Sequence, residues 1–194
     1  MPSISIIPNP FNFMQPALPT DGYTCGVFNT HVVHTTAASA VLTDTSIWAV
    51  PMVIGRTLVI KAMAVVVETL DAGNFARLGL YYDLNGLPGA LLVDAGTVAL
   101  DATGFVATSN FTNREIPPGL YWGAVVSDSA ATAKIRPIAQ ADATPVIKHD
   151  GTNPFFMVTK TVVAAAPPTA LPANFGTPDS YSSGLMHKIF LKGA

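Results

Sequence analysis

The side chains best able to do chemistry in this sequence are four histidines, one cysteine, twelve acids and a set of aromatics. His31 and His34 stand three apart in a stretch of strand character. That spacing puts them on opposite faces of a strand, the wrong placement for two ligands of one metal ion. His149 and Asp150 precede Gly151 and read as turn polarity. Asp83-Leu84-Asn85-Gly86 has the opening of a calcium loop but lacks the later ligands and the closing glutamate, so it reads as a β-turn. There is no Gly-x-Ser-x-Gly elbow, no phosphate-binding loop and no dinucleotide fingerprint. Paired carboxylates could cleave glycosides, yet spacing across strands singles out no pair. Cys25, the only cysteine, excludes an internal disulfide and leaves either an idle thiol or a bridge between chains. No catalytic residue, metal site or cofactor is assigned, and the chain is expected not to be an enzyme.

Four aromatics, Tyr81, Tyr82, Tyr121 and Trp122, could stack on a sugar. Their setting in apolar strands argues for core packing. If the chain binds a glycan, the expected contacts are Tyr82, Asp83, Asn85 and Trp122. Asn110-Phe111-Thr112 matches a glycosylation sequon, a pattern of low specificity.

The elements that must carry these residues are strands. Sixteen prolines and fifteen glycines are scattered through the chain, and no long stretch shows a capped apolar stripe of helical period. From Thr57 to Thr69 the set Leu58, Ile60, Ala62, Ala64 and Val66 alternates, with Lys61 on the other face. Phe75 to Tyr82 alternates too, with Ala76, Leu78, Leu80 and Tyr82 on one side. Further strands are expected over 31–36, 47–54, 91–100, 105–111, 120–127, 133–138, 155–161 and 185–191. Asp71 to Asn74 and Asp83 to Gly86 supply turns tolerant of positive φ, and Pro88-Gly89 and Pro118-Gly119 are read as turn starts. Short strands at such intervals predict an all-β fold, a single antiparallel β-sandwich of jelly-roll-like type. Leu120 to Val126 is apolar on both faces. Its outer face must therefore be covered, by the N-terminal arm or by another subunit.

Length and charge set bounds on partners. The chain has 194 residues, 49% of them hydrophobic and only 11% charged, with a formal net charge of −2. An average soluble domain carries about 25% charged residues. Disorder is disfavoured by this composition, and the absence of a basic excess argues against nucleic acid. No apolar run approaches the roughly 20 residues of a spanning helix, so no membrane span is expected. Met1-Pro2-Ser3-Ile4 opens no basic and apolar leader, so none is expected.

The ends differ from the middle. Residues 1–28 hold Pro2, Pro8, Pro10, Pro16 and Pro19 among large apolar groups. Frequent proline blocks helix and central strand, which predicts an extended arm over 1–28 preceding a sandwich domain over 29–194. Phe11, Phe13, Met14 and Leu18 are its expected assembly contacts, on its own domain or on a neighbour. A second Pro/Ala-rich stretch, about 164–178, is expected to be an extended connection before the last strand.

One run of motifs carries a resemblance. It comprises Arg77-Leu-Gly-Leu-Tyr81, Asn85-Gly86-Leu-Pro88-Gly89-Ala-Leu-Leu, Asp94-Ala-Gly96-Thr97-Val98 and Ile116-Pro-Pro-Gly119-Leu-Tyr-Trp122, with Trp48-Ala-Val-Pro51 upstream. Over about residues 30–140 this resembles the β-sandwich modules of tailed-bacteriophage virion surface proteins: tail-fibre, head-fibre or decoration-like. The resemblance implies a capsid-decoration or fibre component on the virion surface, assembled in the bacterial host cytoplasm. Its implied partners are its own copies, a trimer by analogy, and other virion proteins. It implies no catalytic residues, and such motifs mark fold more than chemistry. The alternative reading is a carbohydrate-binding module that recognises a host surface glycan.

Overall fold

A computed structural model describes residues 23–24, 39–130, 132–138, 148–149, 154–155, 157–162, 169–182 and 185–193. Among them there are strands and turns and no helix. In chain order the strands are β1 (Tyr23–Thr24), β2 (Ala40–Val41), β3 (Ser46–Ile54), β4 (Leu58–Thr69), β5 (Phe75–Leu84) and β6 (Leu87–Ala99). Then come β7 (Gly104–Thr108), β8 (Arg114–Ile116), β9 (Gly119–Ser127), β10 (Lys134–Ile135), β11 (Pro137–Ile138) and β12 (Lys148–His149). The last are β13 (Pro154–Phe155), β14 (Met157–Thr161), β15 (Ser180–Ser182), β16 (Met186–His187) and β17 (Phe190–Gly193).

Two antiparallel sheets form a β-sandwich. The six-stranded sheet has the order β15-β14-β3-β9-β5-β6. The seven-stranded sheet is built on β4. Met63 and Ala64 pair with β7 on one edge and β17 on the other. β8 continues the β7 edge, β10 continues the β17 edge, and β1 and β2 lie outside β17 and β10. β11 pairs β16 and β12 pairs β13 in two small ladders. The chain passes repeatedly between the sheets, at β3 to β4, β4 to β5, β6 to β7, β8 to β9 and β9 to β10. That crossing habit is jelly-roll-like and turns two half-buried sheets into one core.

The core comes from alternation. Val50, Met52 and Ile54 of β3, Leu78 and Leu80 of β5, and Tyr121 and Val125 of β9 face inward from the six-stranded sheet. Leu58, Ile60, Met63, Val65 and Val67 of β4 meet them from the other sheet. The parity on β4 changes midway. Gly193 pairs Ile60 while Lys192 pairs Ala62, so Lys61 is an extra residue. This β-bulge flips the faces beyond it. The expected set Leu58, Ile60, Ala62, Ala64, Val66 is thus correct only to Ile60; Ala62, Ala64 and Val66 face outward.

Turn chemistry holds at most positions. Asn85 (φ 55°) and Gly86 (φ 81°) both lie in the left-handed region, and Leu84 pairs Leu87 across them. This is the two-residue hairpin whose twist suits neighbouring strands. Asn74 N donates to Asp71 O at 3.1 Å in the other expected turn. Pro88-Gly89 is a correction: both residues lie inside β6. β6 is the edge strand, where a residue without an N–H is tolerated. The strand expected to reach Phe111 ends at Thr108, and β1, β2, β8, β12 and β15 lie outside the expected strands. The strand expected over 31–36 lies outside the described residues. Of the expected arm, Tyr23–Thr24 pairs with β17 of the same chain; Phe11, Phe13, Met14, Leu18 and Cys25 lie outside the described residues.

Candidate functional site

The outer face of the six-stranded sheet is apolar because β9 alternates nothing: Trp122, Ala124 and Val126 point outward and are as buried as their inward neighbours. Residues 169–178 cover that face. Leu91 N donates to Ala173 O at 2.8 Å and Phe175 N to Gly89 O at 2.9 Å, tying the segment to the free edge of β6. Leu171 and Phe175 then pack over Tyr81 and Trp122. Phe175 meets the Tyr81 ring edge-on at 5.5 Å, and Tyr81 Oη donates to Pro172 O at 3.0 Å. Burial, then the charge of Asp94, pushes the Tyr81 phenol well above its ordinary pKa. Asp94 accepts from Arg77 Nε at 2.8 Å, Gly96 N and Leu171 N, which anchors the segment's start. A Cβ at Gly79 would run into Leu171 Cδ1 and stand 2.8 Å from Val93 O. Among the described residues the cover is the 169–178 part of the Pro/Ala-rich connection, and β15, β16 and β17 follow it where one last strand was expected.

The four expected glycan contacts do not share a face. Tyr82 points to the inward side of β5 but beyond the end of the packed core, and is 41% exposed. Its ring lies 6.2 Å from that of Tyr121, its cross-strand partner. Tyr121 Oη donates to Pro117 O at 2.8 Å, and burial, followed by Tyr82, raises its phenol. Asp83 faces the other way, as successive strand residues must. Its Oδ1 accepts the Trp122 indole N–H at 2.9 Å and its Oδ2 accepts Gly86 N at 3.1 Å. Trp122 is 1% exposed, so its ring has no open face for a sugar. Asn85 is exposed at the hairpin tip. Leu84 beside it is 61% exposed. Asp83 Oδ2 thus serves the expected β-turn, and Oδ1 serves the Trp122 indole.

The seven-stranded sheet has a different outer face. Because of the bulge, Ala64 faces outward, with Ala107 opposite it on β7 and Phe190 opposite it on β17. Phe105, two residues along β7 and opposite Val66, has its ring 5.7 Å from that of Phe190. Phe105 is 49% exposed. Lys188, itself buried, has its Nζ 5.2 Å from the Phe190 ring centroid, a cation–π contact. Sequence reasoning missed this aromatic pair, because the two residues are joined only through the register of β7 and β17 on β4.

His187 is a buried titratable group. His187, 2% exposed, donates from Nε2 to Val41 O at 3.1 Å and stacks 4.9 Å from the Trp48 ring. Its Nδ1 and Trp48 Nε1 are buried without hydrogen-bond partners. Desolvation lowers its pKa to about 4. Among the described residues no cluster of three or more His, Cys, Asp and Glu is placed to hold a metal ion. No helix among them is long and apolar enough to cross a membrane. In comparisons with known proteins, no family model and no curated protein matches this chain.

Proposed function

We propose that this chain is a non-enzymatic structural protein of a bacteriophage virion surface. It would be a capsid-decoration or head- or tail-fibre component that stabilises the particle through oligomer and arm contacts. The observation that carries this reading is the difference between the two outer faces. The six-stranded sheet is sealed by the chain's own residues 169–178, which leaves a rigid block. The seven-stranded sheet presents Phe105 and Phe190 over a floor of Ala64 and Ala107. Exposed apolar surface of this kind marks contact with other protein. The low charge of the chain supports the same reading, since a lone soluble protein keeps itself apart with surface charge.

The test has two parts. Light scattering over a concentration series is expected to give an oligomer, a trimer by analogy, that dissociates in the Phe105→Lys variant. An antibody against the chain is expected to decorate intact phage particles in negative stain. A chain that stays monomeric at every concentration and labels no particle would sink the proposal. The alternative, a glycan-binding module, is now supported by Tyr82 and Asn85 alone, the two expected contacts that are exposed. Titration of glycans with Tyr82→Ala as control separates the two readings.

A further inference from the structure

We infer that His187 is an acid-sensitive latch: protonation of its ring frees β16 and β2 from Trp48 and opens that end of the sandwich, while the rest of the fold stays closed. The latch does not depend on the virion reading.

His187 ties together three elements that belong to three separate sheets. β16 carries it, opposite Pro137 of the small β11–β16 ladder. Its Nε2 donates to Val41 O of β2, in the seven-stranded sheet. Its ring lies 4.9 Å from that of Trp48 on β3, in the six-stranded sheet.

The site accepts only the neutral ring. A carbonyl oxygen can only accept, so Nε2 holds the hydrogen and Nδ1 is left as an acceptor. Nδ1 is buried with no hydrogen-bond partner. A second proton must go there, making a charged donor with neither water nor an acceptor to receive it. Trp48 Nε1, also buried without a partner, is itself a donor and cannot accept it. The charged groups on the same elements oppose the second proton too. Lys188 follows His187, Arg136 precedes β11, and Lys134 stands opposite Val41. Ala40–Val41 and Ser46–Ile54 carry no charge. Glu68, the acid beside Arg136, is engaged by Arg136 Nε at 3.0 Å. Asp44, in the turn from β2 to β3, has no hydrogen bond or ion pair with His187. Burial therefore outweighs the Val41 bond and holds the ring at a pKa of about 4, against 6.5 in water.

The elements that the latch holds are weakly attached otherwise. β2 shares two residue pairs with β10, and β16 shares two with β11. β3 and β9 share seven, as do β5 and β9. Segments with few backbone bonds open well below the cost of global unfolding. Opening returns the ring to water, so acid favours the open form. The closed form has its full advantage above about pH 6.5. The ratio of open to closed then rises by about 150-fold at pH 4, and by up to about 300-fold below it.

The test labels the full-length chain with 5-fluorotryptophan, which gives one fluorine signal from Trp48 and one from Trp122, the two tryptophans of the sequence. Trp48→Phe assigns them. Fluorine spectra and amide hydrogen exchange are then followed from about pH 7.5 to about pH 4. The Trp48 signal is expected to move toward that of the free amino acid as pH falls, while the Trp122 signal stays in place. The amides of Leu42 and Lys188, bonded to Ala133 O and Arg136 O, should exchange about 150-fold faster at pH 4 once the intrinsic pH dependence is removed. Amides of the β5–β9 ladder should keep their protection. His187→Gln, which keeps a donor but takes no charge, should hold the Trp48 signal constant; His187→Phe, which keeps a ring, serves if the first variant misfolds. Joint movement of both signals in the parent overturns the inference, because it reports global unfolding. A Trp48 signal unchanged down to pH 4, or one that still moves in the uncharged variant, overturns it as well.

Discussion

Trp122 donates its indole N–H to Asp83 Oδ1 at 2.9 Å, from the strand beside the one that carries Asp83. The bond lets a tryptophan be buried on the outer face of a sheet, because its one polar atom is satisfied there. The other oxygen of Asp83 holds Gly86 N in the hairpin turn. One carboxylate thus couples the tip of β5–β6 to the sealed face. Asp83→Ala should destabilise the fold by about 1–3 kcal/mol, the usual range when a buried donor loses its partner. Asp83→Asn, which retains an acceptor, should lose less. Urea unfolding of both variants checks this, and equal stability of Asp83→Ala and the parent would contradict it.

The seal over the six-stranded sheet gives a second expectation. Phe175→Ala removes the ring that packs on Tyr81, and a buried Phe→Ala change costs about 3–5 kcal/mol. Tryptophan emission should shift to the red as Trp122 meets water. Gly79→Ala should act in the same direction by about 1–3 kcal/mol, since its methyl group would overpack against Leu171 and Val93 O. An unchanged emission maximum in Phe175→Ala would mean that residues 169–178 do not cover Trp122.

His187 makes stability depend on pH. It keeps its proton off down to about pH 4 when folded, whereas its ordinary value is 6.5. Between those values the unfolded chain binds more protons, so stability falls as pH falls. The contribution is full above about pH 6.5 and is lost by about pH 4. The loss is on the order of 3 kcal/mol at about 1.4 kcal/mol per pKa unit. His187→Gln should flatten this part of the stability profile, measured by chemical unfolding between pH 4 and 7. A variant with the parent's slope would assign the pH dependence to other groups.

Assembly should depend on the N-terminal segment. Deleting residues 1–20 is expected to leave β1 and the sandwich folded and to weaken self-association. Phe11→Ala with Phe13→Ala should act in the same direction. Burying one such ring contributes roughly 1.5–3 kcal/mol, so losing both should raise the dissociation constant at least tenfold. Light scattering reads the association and thermal unfolding reads the sandwich. If association survives while the sandwich melts much earlier, the segment belongs to its own domain.

Much of the fold is readable along the chain, because strand alternation and turn chemistry are local. The β-sandwich class, the strands at β3, β4, β5 and β9, and the Asn85-Gly86 hairpin all follow from residues within ten positions of one another. The change of face on β4 does not. The bulge at Lys61 appears only when β17 is laid beside β4, and until then Ala62 and Ala64 look like core.

The candidate surfaces divide in the same way. That Leu120–Val126 needs cover on both faces is determined by composition alone, since apolar groups exposed on both sides of a strand are unstable in water. What supplies the cover is decided by hydrogen bonds to the β6 edge from residues more than eighty positions later. The separation of Tyr82 from Asp83 is implicit in the period of a strand. The burial of Trp122 is not, because it depends on Leu171 and Phe175. Phe105 and Phe190 lie far apart in sequence and meet only because two strands flank β4 in one register. Local sequence determines which residues can lie on a strand face; strand pairing, which spends chain entropy on distant contacts, decides which faces meet.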